Sequence, residues 1–387
     1  MSGQFFRDVA GAWWATLRAV VQDLGVLLLL VIAPVVYGFY YPWPYATQTL
    51  TQVPVMVVDL DHTSLSRQII RYAGANPRIA VRGVTSNEAQ ARQALWRGEI
   101  EGFAILPSDL KRKLLRGQAA VVTVEGDGAY ALLNKAVLYG FSEALGTVSA
   151  GVEIKRLQVM GQSALQAQAS RSPINTQLVA LFNPTEGYGS YVVPAVAMLI
   201  IQQTLLMGVA MFVGTLVEAD QQRASMAVWW GRLLGFGTFG VASSLFYFGW
   251  VLVYQDYPRG GNPFGAVVLA LVYTAAVCTL GALLGLWFKQ RERPIQVLLF
   301  TSLPMVFLSG FSWPFEALPV PLQALRWLIP STAGIQAALH LNQMGATLAD
   351  VGVELAVLGS MTGVSCLTLW CSTRPQRTHN ANASDGP

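Results

Sequence analysis

The chain has 387 residues, 53% of them hydrophobic and only 12% charged, with a formal net charge of +4. A soluble chain of this length carries about a quarter charged residues, so an ordinary soluble globular protein is excluded. The small positive excess flanks apolar runs rather than forming a continuous patch, and it points to membrane topology, not to a nucleic-acid partner.

Before the first apolar run, Phe6, Val9, Trp13 and Leu17 recur at helical spacing, with Trp14 beside them and Arg7, Asp8 and Arg18 off the stripe. This pattern predicts a short amphipathic helix within 1–22, lying along a membrane surface with its tryptophans at headgroup depth. The alternative is an extension of the first span into water. Charge-free runs follow at Leu24–Tyr41, Tyr191–Val217, Leu233–Gln255, Phe264–Phe288 and Pro294–Phe315, and a sixth, Val351–Thr373, contains only Glu354. A helix needs roughly 20 residues to cross the hydrocarbon, and these runs lack the alternation of barrel strands. Six membrane helices are expected. The first is read as an uncleaved anchor over 23–42, because Tyr-Tyr-Pro-Trp-Pro follows it instead of a small-x-small cleavage site.

Arg7 and Arg18, Arg223 and Arg232, Lys289, Arg291 and Arg293, and Arg374 and Arg377 occupy one set of short flanks; the opposite set holds Arg259 and Arg326 alone. The rule that cytoplasmic short loops are basic places both termini in the cytoplasm. Residues 43–186 then lie outside. They read as alternating strands and helices: strands at Val55–Asp59, Ile79–Val84, Phe103–Leu106 and Ala119–Val124, with helices at Thr63–Ala73, Ser86–Arg97 and Ser108–Arg116 between them. Ser86 is the expected cap of the second helix and Pro107 opens the third. A long helix from Ala129 to about Met160 follows, and Gln162–Gln168 is either its extension or a linker. The expected fold is therefore an all-α membrane bundle of six transmembrane helices with an inserted, mostly parallel α/β extracytoplasmic domain. It continues as a five-helix membrane portion over 187–373, with outer re-entrant helices near 313–339, and a disordered cytoplasmic tail over 374–387.

Chemistry is sparse. No phosphate-binding Gly-x-x-x-x-Gly-Lys-Ser/Thr occurs, nor a His-Glu-x-x-His, a Cys-x-x-Cys pair or a Gly-x-Ser-x-Gly, so no catalytic, cofactor or metal residues are assigned. His62, His340 and His379 are isolated and read as solvated loop residues. Asp59 and Asp61 read as turn and capping groups. Cys278, Cys366 and Cys371 fall in or at the ends of membrane helices, leaving the exported domain without disulfides. Asp23 and Glu354 sit at span ends, within reach of water. Gln202 and Gln203 form a polar pair at depth, for interhelical hydrogen bonding or a translocation path. Gly231-x-x-x-Gly235 and Gly281-x-x-x-Gly285 permit close helix packing. Glu218-Ala-Asp220-Gln221-Gln222-Arg223-Ala-Ser225 is a charged, helix-competent connection suited to docking a soluble partner. Gly310, Phe311, Pro314, Pro319 and Pro330 punctuate an apolar stretch that cannot be one helix, so short helices dipping into the outer membrane face are expected.

These features together resemble the ABC-2-type transporter permeases that carry a large extracytoplasmic domain. The resemblance rests on Val55–Asp59 leading into Asp61-His-Thr-Ser-Leu-Ser-Arg, on Gly98-Glu-Ile-Glu-Gly-Phe-Ala-Ile-Leu-Pro107, on Phe182-Asn-Pro184 with Tyr191-Val-Val-Pro194, and on Leu308-Ser-Gly-Phe-x-x-Pro314 with Leu318-Pro and Pro330-Ser-Thr. It implies the permease subunit of an ABC exporter in the bacterial inner membrane, moving an amphiphilic or hydrophobic substrate outward. The implied partners are a cytoplasmic ABC ATPase, a second permease copy or paralogue, the lipid membrane and, in relatives, a periplasmic adaptor; nucleic acid is not among them. Family members commonly carry a basic-acidic stretch ending in Gly-Thr where this chain has Gln221-Gln-Arg-Ala-Ser225. The competing class is a non-transporting membrane receptor that acts through its exported domain.

Overall fold

The computed structural model describes residues 2–171 and 179–373 and divides the chain into two compact units, Thr49–Val179 and the remainder. The expected tail over 374–387, with Arg374, Arg377 and His379, lies outside the described residues.

Helix α1 (Ser2–Gln22) is followed at once by α2 (Leu24–Tyr45), and Asp23 makes the break. Its extended backbone and its side chain, which accepts the amides of Gly25 and Val26, open a new helix instead of continuing the old one. The face of α1 that packs shares Val9 and Trp13 with the expected stripe but not Phe6, and it adds Ala12 and Thr16. Phe6 is 70% exposed, whereas Val9, Ala12, Trp13 and Thr16 lie against the glycines of a later span. A Cβ at Gly231 would sit 2.5 Å from both the Ala12 Cβ and the Val9 carbonyl oxygen, and one at Gly235 would sit 2.8 Å from the Thr16 Cβ. Small residues, not the bulky ones, therefore set the approach.

The unit Thr49–Val179 contains β1 (Val53–Asp59), α3 (Ser64–Ala75), β2 (Ile79–Thr85), α4 (Glu88–Trp96), β3 (Gly102–Leu106), α5 (Leu110–Leu115), β4 (Thr123–Gly126), α6 (Ala131–Val159) and α7 (Ala164–Arg171). The sheet order is β2-β1-β3-β4, with the first three strands parallel and β4 antiparallel at the edge. Val53, Val55 and Val57 alternate toward a core shared with Ile69, Phe141 and Val148, while Val58 and Phe103 face a smaller core with Ala91 and Ala94. Helices thus cover both faces, as strands of this apolarity require. Asp59 ends β1 by accepting the amides of Asp61 and His62 and the Ser66 hydroxyl, so it is a turn former, as expected.

Local boundaries moved for identifiable reasons. Asn87, not Ser86, caps α4, because its side chain reaches the Ala89 amide. Helix α5 begins at Leu110 and not near Pro107, since residues 107–109 form a turn that closes with the Leu110 amide on the Pro107 carbonyl. The edge strand pairs over Thr123–Gly126, whereas the expected Ala119–Val124 segment is unpaired in its first half.

The remaining unit continues with α8 (Tyr188–Glu218), α9 (Met226–Tyr254), α10 (Pro263–Phe288), α11 (Arg293–Leu308), α12 (Val320–Leu325), α13 (Pro330–Ala338) and α14 (Gly352–Thr373). Among the described residues, five helices, α2, α8, α9, α10 and α14, are long and apolar enough to cross a membrane; α11 is apolar but shorter. The apolar run from Pro294 to Phe315 stops being helical at Ser309, where Gly310 takes a φ of 82°. Helix α8 is the most enclosed. Gly208 admits Leu30 of α2, and Gly281 and Gly285 of α10 lie against Val209, Ala210 and Val213. Tyr247 Oη donates to the Pro34 carbonyl and Tyr273 Oη to the Met198 carbonyl, both at 2.8 Å. Long helices with Leu24, Leu28, Phe300 and Val364 exposed on their outer faces need an apolar surround, not water.

Candidate functional site: a clasp, a polar pair and a proline-rich element

At one end of α8, three separate segments meet on Arg291. Its Nη1 lies 2.5 Å from Asp23 Oδ2 and 2.9 Å from Thr215 Oγ1, while its Nη2 lies 2.6 Å from Asp23 Oδ1. Its backbone amide donates to Glu218 Oε1 at 2.9 Å. The guanidinium fork and the carboxylate are matched two to two, the strongest geometry available to an ion pair. Glycines make the space: a Cβ at Gly25 would sit 2.7 Å from Met211 Cε, and one at Gly214 would sit 2.8 Å from the Gln290 carbonyl oxygen. Lys289, with a φ of 58°, ends α10 so that the connection can turn back onto α8. The Arg291 guanidinium, with the amides of Gly25 and Val26, holds the Asp23 carboxyl below the usual carboxylate range against the opposing effect of burial.

This clasp escaped the sequence reading. In the sequence Arg291 reads with Lys289 and Arg293 as a topology signal, and Asp23 as a span-end acid within reach of water. Only the isolated acid at the start of an apolar run hinted at a structural use.

The connection after α8 carries Glu218, Asp220, Gln221, Gln222, Arg223 and Ser225. It is not helical, contrary to expectation. Asp220 adopts a φ of 53°, which stops α8, and Ser225 caps α9 through the Val228 amide. The connection is tied down nonetheless. Trp229 Nε1 donates to the Gln222 carbonyl and Arg232 Nη2 to the Gln221 carbonyl, both at 3.3 Å, and Gln222 Nε2 donates to Asp220 Oδ1 at 3.1 Å. Glu218, Asp220, Gln221 and Arg223 stay exposed on its outside.

Gln202 and Gln203 are both buried in α8. Gln202 Oε1 accepts the Ser331 amide at 2.5 Å, and its Nε2 faces Met305 Sδ at 3.2 Å. Gln203 Nε2 donates to the Leu298 carbonyl at 3.3 Å, while its Oε1 has no partner in the structure. The pair bridges α8 to α11 and to the first turn of α13, an interhelical role in which Gln202 satisfies an amide at a helix start.

The proline-rich element is a chain of short helical pieces. Pro314 precedes a turn at Phe315–Ala317, Pro319 precedes α12, and Pro330 opens α13. Gln336 Nε2 donates to the Ser309 carbonyl, and Tyr191 Oη donates to the Phe311 carbonyl, pinning the Gly310 turn. Arg326, 8% exposed, lies with its guanidinium carbon 3.8 Å from the Phe315 ring centroid and 4.5 Å from that of Trp327. His340 is half-buried in the helical turn after α13 and is not a solvated loop residue; His62 is exposed as expected.

The family model described as ABC-2 family transporter protein matches residues 25–370. A comparison with curated proteins finds no match.

Proposed function

The chain belongs to the ABC-2 transporter family over residues 25–370, a multi-pass membrane component, and on that premise we propose that it is the permease of an ABC exporter. The family match is the observation that carries this reading. Nothing in the sequence can grip nucleotide phosphates in a Gly-rich loop, so the work must enter from a separate ATPase. In this reading α11 is a sixth, short crossing and both termini face the cytoplasm. The Glu218–Ser225 connection and α1 then meet the ATPase, and the unit Thr49–Val179 lies on the outer side. The proline-rich pieces from Gly310 to Pro330 form the outer re-entrant element, and a second copy or paralogue completes the pathway. Gln202 and Gln203 line or brace that pathway. Cargo is an amphiphile or other hydrophobic molecule, passed to an adaptor in the periplasm of a bacterial cell.

Orientation is tested with single cysteines at Gly3, Gly128 and Thr378 in a cysteine-free background, probed on spheroplasts with an impermeant thiol reagent. Gly128→Cys alone is expected to react. Reaction at either of the other two would overturn the orientation.

A further inference from the structure

The unit Thr49–Val179 carries an open, aliphatic groove of about 720 Å³, within the ~300–1,000 Å³ typical of small-molecule sites. Ile69, Leu110 and Leu114 line it beside Val122 of the unpaired segment before β4 and Val148 of α6, and Glu153 of α6, paired with Arg156, also lines it. The chain pairs with β3 only over Thr123–Gly126, and Ala120 and Val122 of the unpaired segment before it line the groove with α6.

Helix α5 separates this groove from a second cleft of different character. Leu110 and Leu114, four residues apart, face the groove, while Lys111, Arg112 and Arg116 line the cleft on the other side with Asp61. Asp61 is the one carboxylate lining this cleft against Lys111, Arg112 and Arg116, so the cleft keeps a cationic excess. Arg156 of α6, whose Nη2 lies 3.6 Å from a Cβ placed on Gly117, is paired with Glu153 and adds no net charge there. An apolar trough on one side of a six-residue helix and cations on the other make a complementary pair of surfaces.

We propose that the groove binds the hydrocarbon tail of a single-chain anionic amphiphile whose carboxylate or phosphate head reaches Arg112 and Arg116. This deepens the exporter reading by naming the charge class of its cargo, and it rests on that reading only for the word cargo. A second copy of the chain is the competing occupant.

The test uses the full chain in phosphatidylcholine nanodiscs with two photoreactive probes, a diazirine-bearing palmitate and its trimethylammonium counterpart. Palmitate adducts are expected on α6 between Leu138 and Val152, with few from the cationic probe. A Cβ at Gly146 meets nothing within 4 Å, so Gly146→Trp fills the groove without disturbing the core. It should cut palmitate labelling there at least roughly tenfold, the loss for displacing about two buried methylenes. Arg112→Glu with Arg116→Glu should reverse the preference between the probes. Labelling of the membrane helices, unchanged in each variant, controls for folding.

Absence of adducts on α6, equal labelling by both probes, or no effect of Gly146→Trp would overturn the proposal. Disulfide-linked dimers through Gly146→Cys, in a cysteine-free background, would give the groove to a second copy instead. No arm needs ATP, so failure here and failure of the exporter reading are separate results.

Discussion

Arg291→Ala is expected to destabilise the solubilised chain by roughly 1–3 kcal/mol, and Asp23→Ala by more. Truncating one partner of a buried, hydrogen-bonded charge pair costs ~2–5 kcal/mol, but the side chains of Arg291 and Asp23 keep 27% and 22% of their exposure, so the figure is reduced for solvent screening. Asp23 has a second task that Arg291 lacks. It also caps α2, and losing a cap costs about 0.5–2 kcal/mol. Asp23→Asn can still cap, so it should match Arg291→Ala. Exchanging the two residues should not restore stability, because an arginine at position 23 cannot accept the Gly25 and Val26 amides. Thermal unfolding in detergent measures all four, and equal losses for Asp23→Ala and Asp23→Asn would remove the capping part of the account. The pH dependence has a definite sign. The Asp23 carboxyl is held below its ordinary value of 3.8, so the clasp contributes fully above that value and is lost as the pH falls through the lowered one.

The second large effect concerns coupling. Replacing Glu218, Asp220 and Arg223 together with alanine should leave insertion intact and abolish stimulation of ATP hydrolysis in a reconstituted complex. These charges sit outside a connection whose inner face is held by Trp229 and Arg232, so they can be truncated without melting it. Glu218 also belongs to the clasp, because its carboxylate receives the Arg291 amide. Asp220→Ala with Arg223→Ala therefore isolates docking from the clasp. Full stimulation in that double variant would move the docking surface to α1.

The sequence made the apolar helices readable because burial in lipid demands long uncharged runs, and the alternation of Val53, Val55 and Val57 made the sheet readable because strand side chains face opposite ways. What stayed hidden depends on distance along the chain. Asp23 and Arg291 are 268 positions apart, and neither carries a local pattern that names the other. The packing of α1 is only partly legible: Val9 and Trp13 of the hydropathy stripe do pack, whereas close approach to Gly231 and Gly235 also draws in Ala12 and Thr16, which no stripe of bulky residues marks. Short-range competition explains the rest. Ser86 and Asn87 can both cap, and only the backbone path decides in favour of Asn87. Asp220, in a charged stretch of good helix formers, takes a left-handed turn that lets α8 and α9 reverse. The candidate coupling residues were legible as a group because charge between two apolar runs stands out; their tethering to α9 was not.

The claim that this chain is driven by a separate ATPase is tested most directly by recovering the tagged chain from its native membranes in mild detergent. The account predicts that a P-loop ATPase comes with it in fixed proportion, and that the complex hydrolyses ATP once returned to lipid. A chain that purifies intact, folded and without any nucleotide-hydrolysing partner, from membranes where it is functioning, would contradict it.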